Sequence, residues 1–295
     1  MNKVWTVLEV LRWTSDHFNR QGIDNPRRDA ELLVGTALAL DRVGVYVNFD
    51  RPLVEKELGR IRGLVARRAK REPLQYILGE TEFWSLPFRV TPAVLIPRPE
   101  TEILVEEALK RASADAAILD LGTGSGAVAV ALAHELPEAA VTAFDISAEA
   151  LTIAAANAHR NGVGERIRFV EHNFGTPFPG DFDLILSNPP YVAAEELADL
   201  MPEVRNHEPH LALSGGADGL DAVRAILRTA PLSLRFSGWL LLEVGQGQAE
   251  LVETMLTKAG FTETFQRRDY ADIPRVVGGR KAWRAEAERG SPRRA

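Results

Sequence analysis

Residues 188–191 read Asn-Pro-Pro-Tyr and follow the apolar run Leu184, Ile185, Leu186. An asparagine carboxamide carries an uncharged acceptor oxygen. The carbonyl of Pro189 is a second acceptor, held on a stiff turn that has no N–H donors. Two acceptors converging on one point suit a planar NH2 group, because each takes one of its hydrogens. Tyr191 adds a flat face against which a planar group can stack. A nitrogen on an sp2 carbon is a poor nucleophile. Such a turn can nevertheless orient it and stabilise positive charge as it develops. The less specific reading is a proline-rich turn that ends a strand.

A second constellation lies upstream. "LDLGTGSG" (119–126) follows a predicted strand and opens a predicted helix. Gly122, Gly124 and Gly126 let the backbone approach a ligand closely. Asp145 ends the next predicted strand in "AFDIS", where a carboxylate can accept both ribose hydroxyls of a nucleoside. The glycine spacing is not the G-x-G-x-x-G of dinucleotide sites. Asp120 would be an awkward neighbour for phosphate, whereas it suits the ammonium of an amino-acid-bearing nucleoside. S-adenosylmethionine has that ammonium, a sulfonium and a ribose, and no phosphate. The two constellations together describe methylation of an amino group on an sp2 carbon. Taken alone, the glycine turn could be purely structural.

These residues need a scaffold of alternating elements. From residue 116 onward the chain alternates apolar strand patterns, beginning with "AAILDLG", with helical ones, which predicts a parallel sheet covered on both faces. "FTETFQRRDYADIPRVVGGRKA" reads as a closing hairpin. Residues 1–72 read as amphipathic helices, with apolar faces at Val4, Val7, Leu8 and Leu11 and at Ala30, Leu33, Val34, Ala37 and Leu38. In 73–92, "QYILG" and "FWSLPFRV" are expected to pair as a β-hairpin linker with "GETE" between them. A methyltransferase-like domain is expected over 93–284, and a disordered polar tail over 285–295.

In "IPRPETE", Arg98 and Glu100 are candidates for a wall over the site. Thr101 or a neighbour is expected to cap the helix that follows. The basic run Arg60, Arg62, Arg67, Arg68, Lys70 and Arg71 reads as a solvated helix face. His207 and His210 flank Glu208, but Pro209 argues against a helical ligand pair, and no metal is expected.

Composition excludes several classes. The chain has 295 residues, 45% hydrophobic and 26% charged, which is enough to build a packed core. It has no cysteine, so disulfides, thiolate nucleophiles and Cys-ligated zinc are excluded. A net charge of −6 argues against a bare nucleic acid as main partner. Lys3, Glu9 and Arg12 interrupt the first twelve residues, and no apolar run reaches the roughly 18 residues of a membrane span. A soluble, cytoplasmic, monomeric protein is expected.

"PLQYILGETEFW", "VLIPRPETEILVE", "LDLGTGSGAVAVALA", "DLILSNPPY", "EPHLALSGGADGLD" and "LLLEVGQGQ" together resemble the release-factor glutamine methyltransferase family. The resemblance implies a Rossmann-like α/β methyltransferase domain behind a small helical domain that recognises the partner. It implies methyl transfer from S-adenosylmethionine to the glutamine amide in the Gly-Gly-Gln loop of peptide chain release factors. By motif, Asp120, Gly122, Thr123, Gly124, Ser125, Gly126 and Asp145 would bind cofactor. Asn188, which also borders the cofactor, would hold the glutamine amide with Pro189, Pro190 and Tyr191. Phe174 stands where the family often has an aromatic residue beside adenine. Asn173 replaces a common aspartate, which would leave an uncharged acceptor for the adenine amino group.

Three rivals follow from the same residues. A DNA adenine or cytosine amino-methyltransferase could use the same acceptor turn, but needs a basic channel for a flipped base. A methyltransferase for a ribosomal-protein glutamine is a close sibling. A non-enzymatic binding module would retain the fold and lose the site residues.

Overall fold

The structure is a computed structural model that describes residues 4–282. The tail expected to be disordered lies outside the described residues. The chain forms two compact units. Among the described residues, one runs to Gly79 and includes Met201–His207, and the other holds Glu80–Leu200 and the residues from Glu208 to 282.

The first unit is helical. Helix α1 (Val7–Arg20) starts at Thr6 with a capping box: Thr6 Oγ1 accepts from Glu9 N, and Glu9 Oε2 accepts from Thr6 N at 2.9 Å. Val7, Val10, Leu11 and Phe18 are its buried face, while Val4 is two-thirds exposed and takes no part. Helix α2 (Pro26–Leu38) begins with Pro26 in its first turn and buries Ala30, Leu33, Val34 and Ala37. The short helix α3 (Arg42–Val47) has a side-chain cap from Asp41 and was not anticipated. Helix α4 (Glu55–Ala69) carries the basic run, and here the solvated-face reading needs correction. Arg68 is buried and donates to Asp29 at 2.7 Å and to Glu203 at 2.9 Å. Arg71 also pairs with Glu203, Arg67 with Glu72 and Arg62 with Glu55. The acidic partners are distant in sequence or on the next turn, so the charges only look unbalanced along the chain.

The "QYILG" segment differs from expectation. It forms helix α5 (Leu74–Leu78), entered through Pro73 and closed by Gly79 at φ +81°. A short apolar run does not by itself distinguish strand from helix. The hairpin lies one step later, as β1 (Glu80–Phe83) and β2 (Leu86–Arg89), with Glu80 opposite Arg89. Trp84 and Ser85 turn between them at φ +54° and +57°, matching the twist of the strands.

The second unit continues with α6 (Glu102–Leu109), β3 (Ala117–Leu121), α7 (Ala127–Glu135), β4 (Ala140–Asp145), α8 (Ala148–Arg160), β5 (Ile167–Glu171) and β6 (Phe182–Ser187). Helix α9 (Pro202–His207) groups with the first unit. There follow α10 (Asp221–Ser233), β7 (Leu234–Glu243), α11 (Ala249–Lys258), β8 (Phe261–Arg268) and β9 (Pro274–Lys281). The seven-stranded sheet has the order β5-β4-β3-β6-β7-β9-β8. It is parallel from β5 through β7, while β9 runs antiparallel to both its neighbours.

Alternate residues of each inner strand feed opposite cores. Ile118, Leu184, Leu186 and Leu241 pack with the residues of α6 and α7 on one face. Leu119, Leu121, Ile185, Leu240 and Leu242 pack with α10 and α11 on the other. Burial on both faces explains why these strands read as continuous apolar runs. Phe83 and Phe88 of the hairpin meet edge to face at 6.1 Å within the first of these cores.

Candidate active site

Register places the chemistry. Phe144, Leu121, Ser187 and Leu242 form one row across β4, β3, β6 and β7. The next residue on each strand or its following turn is Asp145, Gly122, Asn188 and Glu243. The carboxyl ends of four strands therefore converge, and the crossovers diverge on either side of β3, where open α/β sheets bind their ligands.

The glycine turn is held from several sides. Gly122 N and Thr123 N both donate to Phe144 O, at 2.8 and 2.9 Å. Gly122, Gly124 and Gly126 have φ of +75°, +56° and +82°. Asn157, buried on α8, donates to the carbonyls of Ser125 at 2.8 Å and Arg89 at 3.0 Å, and accepts from Arg89 N. Nothing in the sequence marked this asparagine, since its value lies in joining segments far apart in the chain.

Asp145 accepts from Gly124 N at 2.8 Å through Oδ2 and from Ser147 N at 2.9 Å through Oδ1. Each oxygen retains acceptor capacity for a further donor. Asp120 is buried behind the turn and accepts from Thr123 Oγ1 at 2.7 Å. Burial pushes its carboxyl up to about 7; the Thr123 hydrogen bond opposes this and the charge of Asp145 adds to it.

A cavity of about 340 Å3 lies over the strand ends, within the size range of small-ligand sites. Gly122, Gly124, Ser125, Asp145, Asn173, Phe174, Asn188, Pro190 and Arg98 line it, so most of the expected residues border one cavity. Asp120, Thr123, Gly126, Pro189, Tyr191 and Glu100 are not on that lining. Pro189 is buried, and the Tyr191 ring lies against the turn at Gly245. Gln248 donates to the Tyr191 carbonyl at 3.0 Å and accepts from Gly245 N, so it clamps this stretch to the end of β7. Asn173 Oδ1 accepts from Gly175 N at 2.8 Å, and the Phe174 carbonyl accepts from Thr229 at 2.7 Å. Glu208 accepts from Ile96 N and pairs with Arg98 at 2.5 Å, which anchors the "IPRPETE" segment. Among the described residues, no group of three His, Cys, Asp or Glu side chains could hold a metal ion.

Thr101 departs from its expected role. Its side chain makes no cap for α6. Instead Oγ1 accepts from Asn188 Nδ2 at 3.2 Å. Glu243 was quoted in the sequence only as part of "LLLEVGQGQ". The apolar surroundings of that strand end gave no cue that a carboxyl would be buried there.

Residues 9–79 match the PrmC N-terminal domain model, and residues 99–215 match the methyltransferase small domain model. The release factor glutamine methyltransferase of Geobacter sulfurreducens is 52% identical over 280 residues, which cover 94% of this chain and 98% of that protein. That of Bradyrhizobium diazoefficiens is 43% identical over 289 residues, covering 90% and 97%.

The chain belongs to the release factor glutamine methyltransferase family.

Among solved structures, the hMettl16 catalytic domain superposes with a TM-score of 0.55 at 16% identity, covering 73% of this chain and 81% of that one. A methyltransferase from Pyrococcus furiosus gives 0.51 at 21% identity, covering 67% and 89%. At these identities the likeness is one of fold, and it agrees with the Rossmann-like sheet. "LDLGTGSG" and "SNPPY" follow the adjacent parallel strands β3 and β6. Ser187 Oγ, donating to Leu121 O at 2.6 Å, ties the two strand ends together.

Proposed function

We propose that this protein transfers the methyl group of S-adenosylmethionine to the side-chain amide nitrogen of a glutamine in peptide chain release factors, within their Gly-Gly-Gln loop. One observation carries the reading. The glycine turn, Asp145 and Asn188 end adjacent parallel strands at one level and line one cavity. Membership of a family whose curated relatives bear that activity in their names supports the substrate.

The donor set suits the cofactor. A Cβ built on Gly124 meets no atom within 4 Å, so the backbone there faces open space. Asp145, already held by two backbone N–H groups, has lone pairs for a ribose diol. Asp120, Thr123, Ser125 and Gly126 support the same turn from behind or within it. Asn173 and Phe174 line the same cavity and are assigned to the adenine. When bound, S-adenosylmethionine supplies an electrophilic methyl on a positively charged sulfur. A ligand ammonium near the turn would draw the Asp120 carboxyl back toward its ionised form.

The chain's own residues do the rest. Asn188 Oδ1 and the Pro189 carbonyl accept the two N–H hydrogens of the substrate amide and direct its lone pair along the transfer axis. Positive charge develops on that nitrogen as the N–C bond forms and the sulfur–methyl bond breaks, its electron pair staying on sulfur, and the two oriented dipoles stabilise it. The nitrogen then loses one of its hydrogens to water. Val94, Leu95, Pro97 and Val128 keep much of the cavity wall apolar, which strengthens those dipoles. Pro190 and Tyr191 stiffen the turn, while Arg98, on the cavity lining, and Glu100, two residues on, are assigned to the substrate loop. The helical unit is assigned to partner recognition.

The test is labelled methyl transfer from S-adenosylmethionine to a purified release factor, with a Gln→Asn control in the Gly-Gly-Gln loop. Label in the wild-type factor alone is expected. Equal labelling of the control, or labelling of duplex DNA instead, would refute the assignment.

A further inference from the structure

Among the described residues, two charged side chains lie on the cavity lining, Asp145 and Arg98. Asp145 is assigned to the ribose, which leaves Arg98 as the one cation on that wall. It sits near the point of transfer. Thr101 N donates to Arg98 O at 3.1 Å, and Thr101 Oγ1 accepts from Asn188 Nδ2 at 3.2 Å. A cation in this place raises an electrostatic problem. S-adenosylmethionine carries a positive sulfur whose methyl must reach the nitrogen held at Asn188, and like charges in a poorly solvated cavity repel one another.

Glu208 meets that problem. Its side chain is 1% exposed, and both of its oxygens serve the segment that carries Arg98. Oε1 accepts from Arg98 Nη2 at 2.5 Å, and Oε2 accepts from Ile96 N at 3.2 Å. The carboxylate cancels the guanidinium charge while occupying one of its five N–H groups, so the others stay available to a further acceptor. Glu208 also leads directly into Pro209, Leu211 and Ala212, which line the cavity. The same two contacts therefore join stretches of the wall that are far apart in the chain.

We propose that Glu208 is a positioning residue that holds Arg98 on the cavity wall and neutralises it, so that Arg98 offers N–H donors to the substrate loop without repelling the sulfonium of the cofactor. The inference rests on the function proposed above. It predicts discrimination by charge. S-adenosylmethionine and S-adenosylhomocysteine differ by one methyl and by the positive charge on sulfur. A wall that merely loses its shape weakens both. An uncompensated guanidinium weakens the sulfonium form selectively. At about 10 Å and an effective dielectric constant of roughly 20–40, one unit charge changes the binding of another on the order of 4- to 16-fold.

The test is isothermal titration of both nucleosides at pH 8, read as the ratio of dissociation constants, S-adenosylmethionine over S-adenosylhomocysteine, with denaturation curves to check that each variant is folded. Glu208→Gln keeps the volume and removes the charge, and is expected to raise the ratio by that factor. The double variant Arg98→Gln/Glu208→Gln removes both charges and returns the ratio to the wild-type value, even where both affinities drop. Arg98→Gln alone leaves the carboxylate unopposed and lowers the ratio, so the sign is decided even if Glu208→Gln fails to fold. An unchanged ratio in Glu208→Gln, a ratio still raised in the double variant, or one not lowered in Arg98→Gln would overturn the proposal. Wild-type protein that binds neither nucleoside would sink the functional reading itself, whereas binding with a ratio indifferent to these substitutions sinks this inference alone.

Discussion

Two glycines of one turn, Gly124 and Gly126, separated only by Ser125, should respond to the same methyl group in different ways. Gly126 sits at φ +82°, and a Cβ built there lies 3.0 Å from Ala154 Cβ and 3.1 Å from Ala154 Cα. The left-handed backbone costs a non-glycine residue about 1–2 kcal/mol. Forcing a methyl against the backbone of a packed helix adds about 1–3 kcal/mol. Gly126→Ala is therefore expected to destabilise the protein by about 2–5 kcal/mol, a large share of the roughly 5–15 kcal/mol that holds a domain folded. Gly124 has φ +56° and meets nothing within 4 Å. Gly124→Ala incurs only the backbone term, about 1–2 kcal/mol, partly offset by a stiffer unfolded chain. Its methyl would instead enter the space assigned to the cofactor, weakening S-adenosylmethionine binding by about tenfold or more, or at least 1.4 kcal/mol. Urea denaturation gives the stabilities and equilibrium dialysis of labelled S-adenosylmethionine gives the affinities. Equal destabilisation by the two substitutions, or wild-type affinity in Gly124→Ala, would refute the picture of one glycine packing on α8 and the other facing a ligand.

Asn188→Ala should abolish methyl transfer while leaving S-adenosylmethionine affinity within a few-fold of wild type, since it removes the substrate acceptor and leaves Asp145 and the glycine turn in place; isothermal titration beside the transfer assay checks both, and full activity would count against the acceptor turn. Asp120 links stability to pH. Its folded carboxyl is held up to about 7 by burial, against an ordinary value of 3.8, so between these values the folded state binds more protons than the unfolded one. Stability contributed by the protonated group is present below the ordinary value and is lost as the pH rises through 7, at up to about 1.4 kcal/mol per pH unit. Asp120→Asn should flatten that slope in denaturation curves taken from pH 4.5 to 8, leaving the share due to Glu243, which burial also pushes up to about 7. Parallel profiles for the two proteins would show that Asp120 is ionised in the fold across this range.

Much of this molecule is legible along its length. Continuous apolar runs such as 184–186, alternating with helical periods, identify a parallel sheet because strands buried on both faces cannot alternate in polarity. Gly122, Asp145 and Asn188 are legible because each sits at the end of such a run, and β-strand ends are where these folds gather their ligands. What tertiary structure alone decided is pairing at a distance. Residues 74–78 became a helix because so short a segment has no decisive period of its own, and packing of Leu74, Ile77 and Leu78 on the core of the helical unit settled it. The Arg68 side chain meets Asp29 and Glu203 inside the protein, although its neighbours in sequence advertise a wet basic surface. Thr101 looked like a cap and became the partner of Asn188, 87 positions away. A residue's type and its local period travel with the sequence, so they can be read there. Which buried donor faces which buried acceptor is set by how strands and helices are brought side by side, and that exists only once the chain has folded.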